Sequence, residues 1–231
     1  MLDDMKKIVS IAMMLMFAIS IHAQNDVTKF LGIPVDGFKP DMIRALKAKG
    51  FASSIYDKDI LEGEFNGTRV RVYVVTNNNK VCRIMVCDEN TVGETDIKIR
   101  FNRLCGQFEN NKNYISYSSA SQKIPDDEKL SYEISVNDKR YEAQYYQSPN
   151  ATDALAFQNE MKASALAKYT EEQIANPTSE IQKDIDKMAR DWVMQRMSKK
   201  SVWFMISENY GKYYITMFYD NEYNRANGED L

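Results

Sequence analysis

Past residue 23 this chain contains no histidine; the single one in 231 residues is His22. That absence excludes Ser-His-Asp and Cys-His catalysis and any histidine-ligated zinc in the remainder. Cysteine is almost as scarce. Cys82, Cys87 and Cys105 have no CxxC spacing, so neither a metal site nor a cofactor is expected from them. Charge of one sign is missing too. The balance is 30 Lys and Arg against 33 Asp and Glu, a net charge of −3, and it makes no electrostatic case for nucleic acid or an anionic membrane. Long apolar runs are absent after Ile21, so no membrane partner is expected beyond that point.

What is present at the start is a leader pattern. Lys6-Lys7 is a positive region, Ile8 to Ile21 is apolar, and Ile21-His22-Ala23 offers a cleavage site before Gln24. Residues 1–23 therefore read as a signal peptide. Asp3 and Asp4 are unusual there, and Met5 is an alternative start. The apolar stretch is short for a membrane span, although an uncleaved anchor is the alternative. No cysteine at the site invites lipid attachment. The expectation is a soluble protein, periplasmic or secreted.

The strongest structural signal lies between Leu61 and Asp88. Asn66-Gly67 suits a two-residue hairpin turn, because such a turn needs positive φ at both positions. Centring there pairs Glu64 with Arg69, Glu62 with Arg71 and Leu61 with Val72. A second turn centred on Asn78 pairs Val74 with Cys82, Val72 with Ile84 and Val70 with Val86. Both turns sort the side chains alike. Leu61, Phe65, Val70, Val72, Val74, Cys82, Ile84 and Val86 share a core face; Glu62, Glu64, Arg69, Arg71, Tyr73, Arg83 and Met85 share the other. The charged face reads as solvated cross-strand pairs rather than as a binding surface.

Around this meander, Pro40 to Lys49 reads as a helix, with Pro40 in its first turn, Gly50 at its C-cap and Phe38 and Ile43 spaced as a hydrophobic staple. Phe51 to Tyr56 is a candidate strand. Glu94 to Glu109 carries Ile97, Phe101, Leu104, Cys105 and Phe108 on one helical stripe. A helix returning over the last meander strand would bring Cys105 near Cys82, so a Cys82–Cys105 disulfide is within geometric reach; buried free thiols are the alternative. Residues 111–129 are polar and read as a linker. Leu130 to Val136 alternates like a strand, and Asn137-Asp138 turns it into Arg140 to Tyr146. Ala151 to Tyr169 is helical, with a stripe of Phe157, Met161, Ala165 and Tyr169. Ser179 to Gln182 is spaced as a capping box, and the Ile181, Ile185, Met188, Trp192 and Met197 stripe that follows reads as core. Ser201 to Asp220 is a hairpin turning near Asn209-Tyr210-Gly211, apolar on both faces and hence a central or covered strand pair.

The fold class expected is α+β: antiparallel meander sheets with helices on one face, plus an inserted helical segment at about 151–198. The divisions are a 24–110 unit, the 111–129 linker, a 130–223 unit that either stands apart or continues the first, and a polar tail at 224–231. The run FLGIPVDGFKPDMIRALKAKGF, then GEFNG, KVCRIMV and the closing YYITMFYDNEYN, resembles small secreted proteins of gut bacteria. The resemblance spans about 25–110 and 200–225. It implies α/β repeats like those of β-lactamase inhibitor proteins or PepSY-type domains. The region from 110 to 198 departs from that pattern and lacks its Lys-Tyr-Gly. No activity or catalytic residue comes with the resemblance.

Candidate chemistry is sparse. Asp57/Asp59, Asp126/Asp127/Glu128, Glu171/Glu172 and Asp184/Asp186 are paired carboxylates, but nothing places a pair across a cleft as glycoside hydrolysis requires. Asp220 to Asn224 begins like a calcium loop, yet Arg225 stands where glycine is needed. Tyr210, Tyr213, Tyr214, Tyr219 and Tyr223 cluster and are a candidate surface for a protein or glycan partner; a tyrosine-rich core edge is the other reading. The function expected is a non-enzymatic extracytoplasmic binding or inhibitor-like module. A structural or assembly accessory protein is the alternative, and a carboxylate hydrolase comes after it.

Overall fold

The computed structural model describes residues 26–148 and 151–226. Its centre is an eight-stranded antiparallel sheet. In chain order the elements begin with β1 (Lys29–Phe30) and β2 (Ile33–Pro34), a separate pair. Helix α1 (Lys39–Ala48) precedes β3 (Ala52–Ser53), β4 (Ile60–Phe65), β5 (Thr68–Asn77) and β6 (Lys80–Asp88). Helix α2 (Glu94–Glu109), β7 (Tyr114–Ser116), α3 (Leu130–Asn137) and β8 (Glu142–Gln147) follow. Three helices, α4 (Ala151–Leu166), α5 (Glu171–Ala175) and α6 (Ser179–Met197), lead to the closing strands β9 (Ser201–Asn209) and β10 (Lys212–Asp220). The strand order is β3-β4-β5-β6-β10-β9-β8-β7. The closing hairpin therefore lies against β6, and the 24–110 and 130–223 stretches share one sheet and one core. Both edge strands are very short, which limits the unpaired backbone on offer to another chain.

Alternation explains the layers. Leu61, Val72, Val86, Met217, Phe204 and Ala143 are successive cross-strand partners from β4 to β8. All six are buried and belong to one core cluster, with Met42 and Leu46 of α1, the α2 stripe and Leu130 of α3. The helical stripe predicted for 94–109 is buried as expected. Phe108 stacks on Tyr145 at 4.6 Å, and Phe101 meets Phe204 edge-on at 5.0 Å. At the end of α1 the Phe51 N–H reaches the Leu46 carbonyl and the Gly50 N–H the Lys47 carbonyl, with Gly50 at φ +100°, a Schellman closure. Phe38 makes no staple; it is exposed, with the Lys80 ammonium 5.5 Å from its ring centroid. The strand expected over 51–56 shrinks to Ala52–Ser53.

Three further expectations are corrected. The first hairpin has the predicted register, but the second turn is Asn78-Asn79, both at positive φ. Val74 therefore faces Ile84 and Val72 faces Val86, two residues from the predicted pairing. A bulge opposite Val75/Thr76 leaves Cys82 unpaired with β5 and puts Val81 into the core in its place. Cys82 and Cys105 are consequently separate free thiols. Cys82 lies near the Val75 carbonyl, whereas Cys105 sits on α2, which packs on β10 and β7 rather than over the bulge.

The Leu130–Val136 alternation forms α3, not a strand. Its expected hairpin partner, β8, is already flanked by β7 and β9. The Glu94 carboxylate instead accepts the Leu130 and Ser131 N–H groups at 2.7 and 3.4 Å, capping α3 from the start of α2. Asp138 then turns out in the left-handed region. The stretch expected as a linker carries β7, and Asn102 of α2 bonds both the N–H and the carbonyl of Ile124.

The third correction concerns the arm formed by α4, α5 and α6. Its N-terminal caps are Thr170, in a capping box with Gln173, and Thr178; Ser179 is already helical. The Ile181, Ile185, Met188 and Trp192 stripe is half-buried and belongs to no part of the main core cluster. It packs within the arm, where Trp192 meets Phe157 edge-on at 5.0 Å and donates to Glu160. The arm leaves and rejoins the sheet at a fixed base. Lys200, 3% exposed, donates to Asp26 at 2.5 Å and to the Ser148 carbonyl at 2.9 Å. Among the described residues, no helix is long and apolar enough to cross a membrane. The leader and the last residues of the tail lie outside the described residues.

Three measurements check this fold. A Cβ on Gly63 of β4 would stand 2.6 Å from Cδ1 of the buried Phe51 ring. Gly63→Ala should therefore lose about 1–3 kcal/mol in urea unfolding, and adding Phe51→Leu should recover part of it. Burial pushes the Cys105 thiol up to about 11, and burial also raises Cys82 and Cys87. Thiol labelling of the folded protein should be slow, and unfolding without reductant should release three thiols; a count of one would mean a disulfide. Burial raises the Glu94 pKa, but the bonds from Ser131 and Leu130 outweigh it and hold the carboxyl below its ordinary value. Its contribution is thus complete above about 4.3, the unfolded value, and fades as pH falls through the lower folded value. Glu94→Gln should cost about 0.5–2 kcal/mol at neutral pH, and the difference from the parent should shrink in acid.

Candidate ligand-binding site

Helices α1, α2 and α3 contribute to the core on one side of the sheet, and the opposite face carries the second set of alternating residues. There Gln144, Trp203, Phe218, Met85 and Tyr73 form a cross-strand row from β8 to β5. Trp203 and Phe218 stack with centroids 4.0 Å apart and planes 15° apart. The Arg83 guanidinium lies 4.9 Å from the Phe218 centroid. Cation–π attraction and apolar cover together explain why Phe218 is only 8% exposed on a face without a packed helix.

Asp220 closes this cluster. Its carboxylate takes a fork of two bonds from Arg83, the Nη2 arm at 3.0 Å, and a third from the Trp203 indole N–H at 2.9 Å. Asp220 is the cross-strand partner of Arg83, and its own carbonyl accepts from the buried Thr28 hydroxyl. The hydrogen bond that Arg83 donates to Asp220 outweighs burial and raises the Arg83 pKa further. Asp220 is therefore fully engaged and not the first ligand of a calcium loop. Asn221 and Asn224, which would follow it in such a loop, bond instead to the Val35 and Val81 carbonyls.

Beside this cluster opens a pocket of about 340 Å³. Trp203, Asp220 and Arg83 line it from β9, β10 and β6; Gln144 and Ser201 add polar groups, and Ser198 stands where the arm ends. Two ion pairs complete the rim. Arg140 faces Glu142 at 3.3 Å, and Arg225 faces Glu222 at 3.1 Å. Each of the pocket's three guanidinium groups thus has a carboxylate partner within the same pocket. A second cavity of about 270 Å³ lies where α2 meets the sheet, lined by Phe65, Leu104, Phe108 and Tyr219, with an Asn66–Gln107 amide pair beside it.

The tyrosines expected as a surface do not assemble into one. Tyr213 and Tyr219 are buried in the core on the helix side, and Tyr219 packs on Phe30 at 4.8 Å. Tyr210 is fully exposed at the hairpin turn with φ 50°. Tyr214 is half-buried on the opposite face, and Tyr223 lies past β10 with Lys199 over its ring. None of the paired carboxylates singled out in the sequence lines this pocket. Asp59 binds Lys39, Glu128 binds Lys139 and Tyr141, and Asp184 binds Lys168 and Tyr169. Among the described residues no cluster of acidic, cysteine or histidine side chains could hold a metal ion.

Of the pocket residues, Asp220 and Glu222 carry a sequence signal, the rejected calcium-loop start, and the others carry none. Alternation assigns Arg83 and Trp203 to the face away from the core, but only the β6–β10 pairing brings them together. No family model, curated protein or solved structure matches the chain.

Asp220→Ala leaves Arg83 and the Trp203 N–H without their acceptor. It should cost about 1–3 kcal/mol of stability in denaturant titration. Combined with Arg83→Met the loss should be less than the sum of the two single losses, as expected for groups in one network.

Proposed function

We propose that this protein is a non-enzymatic binding module that works outside the cytoplasm and holds its ligand in the pocket over Trp203. The observation that carries the reading is the pocket's composition: an indole at its base, fixed polar groups around it, and every ionic side chain already paired. Such a site offers shape, an aromatic surface and hydrogen bonds, the ingredients of ligand recognition. It offers no titratable group free to shuttle protons, because Asp220 is held by three donors and the Glu142 and Glu222 carboxylates face arginines. The extracytoplasmic location rests on the leader pattern of residues 1–23.

The chain has two tryptophans, and Trp192 is remote in the arm. In a Trp192→Phe protein, emission reports on Trp203 alone. Titration with fractionated extract of the native compartment should give a saturable emission change, and mass spectrometry should recover the bound compound intact. Recovery of a cleaved compound would instead support hydrolysis by the pocket carboxylates.

A second reading, an assembly accessory role, is favoured by the arm. Its apolar stripe stays outside the core, and Met194 is 53% exposed. A photo-crosslinker at Met194 in the native compartment should then trap a distinct partner, whereas crosslinking to nothing would remove this reading.

A further inference from the structure

We propose that the ligand of the Trp203 pocket is a neutral oligosaccharide; this rests on the binding-module reading above. Charge comes first. Arg83, Arg140 and Arg225 are matched within the pocket by Asp220, Glu142 and Glu222. An anionic ligand approaching one of these guanidiniums also meets its partner carboxylate, and a cationic one approaching a carboxylate meets its arginine. The two contributions oppose each other, so the pocket favours a ligand with no net charge.

Hydrogen-bonding capacity comes next. The rim presents planar groups, the guanidinium of Arg140, the carboxylate of Glu142 and the amide of Gln144. These offer side-by-side donors or acceptors, which suit a ligand with adjacent groups that both donate and accept, as vicinal hydroxyls do. Arg140 and Glu142 are exposed beside the pocket, 64% and 54% by side chain, so their remaining donors and lone pairs are open to a ligand. One face of the Trp203 indole is stacked on Phe218; the part that lines the pocket adds an apolar aromatic surface for the C–H groups of a sugar ring. A purely apolar ligand would leave the polar rim unsatisfied.

Topology decides against a peptide added as a strand. The pocket lies over β6, β10, β9 and β8, four consecutive strands each flanked on both sides within the sheet. The backbone groups of β6, β10 and β9 serve the ladder on both sides, and the sheet's free edges are at β3 and β7. β7 pairs only with Tyr145–Gln147 of β8, but just before them the Gln144 N–H is taken by Gln122 and its carbonyl by the Tyr117 N–H. A peptide here would find no run of free backbone groups to extend.

The test uses full-length Trp192→Phe protein and Trp203 emission. The probes are tetrasaccharides of glucose (α- and β-linked), mannose, galactose and N-acetylglucosamine, with tetragalacturonate and a mixed-charge peptide as charged comparators. At least one neutral tetrasaccharide should give a saturable change that added salt leaves in place. Glu142→Gln and Gln144→Ala should each weaken it about tenfold, the loss of roughly one hydrogen bond to the ligand; the unfolding midpoint should stay unchanged for Glu142→Gln and fall only slightly for Gln144→Ala, which also loses its bond to Ser201. Binding of a charged comparator alone would overturn the carbohydrate assignment and leave the binding-module reading standing. No response to any neutral tetrasaccharide also overturns it. Neutral binding that both variants leave untouched would place the sugar elsewhere and overturn the proposal for this pocket.

Discussion

The fold depends on the pairing of β6 with β10. These strands are far apart in the chain, so their contact is the one that turns an early meander and a late hairpin into a single sheet. Each face of the seam is fastened by an arginine–aspartate pair. On the core side Asp88 of β6 takes two bonds from Arg100 of α2, at 2.7 and 2.5 Å, and accepts the Ile215 N–H of β10 at 3.1 Å. On the other side Arg83 of β6 binds Asp220 of β10. Removing one member of such a pair strands a charge in a poorly hydrated place, whereas keeping both adds directionality that apolar contact lacks. The seam is therefore specified by charge as well as by burial.

The same seam makes the candidate site. With β6 and β10 apart, Arg83 would have no carboxylate, and the Trp203–Asp220 bond within the closing hairpin would lack its cation. Once they pair, guanidinium, carboxylate and indole lock one another into place. Side chains carried on strands and held by mutual bonds are more sharply positioned than side chains on loops. The exposed Arg140–Glu142 and Arg225–Glu222 pairs contribute little to stability, as expected of solvated ion pairs. Their structural effect is to cancel charge around the opening.

Local signals were legible in the sequence and non-local ones were not. The Asn66-Gly67 and Tyr210-Gly211 turns, the α2 stripe and the two-sided apolar pattern of the closing hairpin follow from neighbours in sequence, and each appears in the fold. The second meander turn failed because three asparagines permit two centres, and a bulge at Cys82 absorbs the difference. The Leu130–Val136 stretch failed because its pattern suits a strand, while the deciding facts lie elsewhere: a carboxylate from Glu94 and a β8 already flanked on both sides. The pocket failed for the same reason, since Arg83 and Asp220 meet across 137 residues.

The base of the helical arm has an architectural consequence. The Gln147 N–H bonds the Lys200 carbonyl, and β8 and β9 are antiparallel neighbours in the sheet. The whole excursion between Ser148 and Lys200 thus begins and ends at one point, as an enlarged hairpin connection. Closing a long loop costs only slightly more entropy than closing a short one, so the sheet is nearly indifferent to its length. An element joined in this way can be lengthened, exchanged or lost without disturbing a ladder bond, which leaves it free to diversify while the strands beneath stay constant.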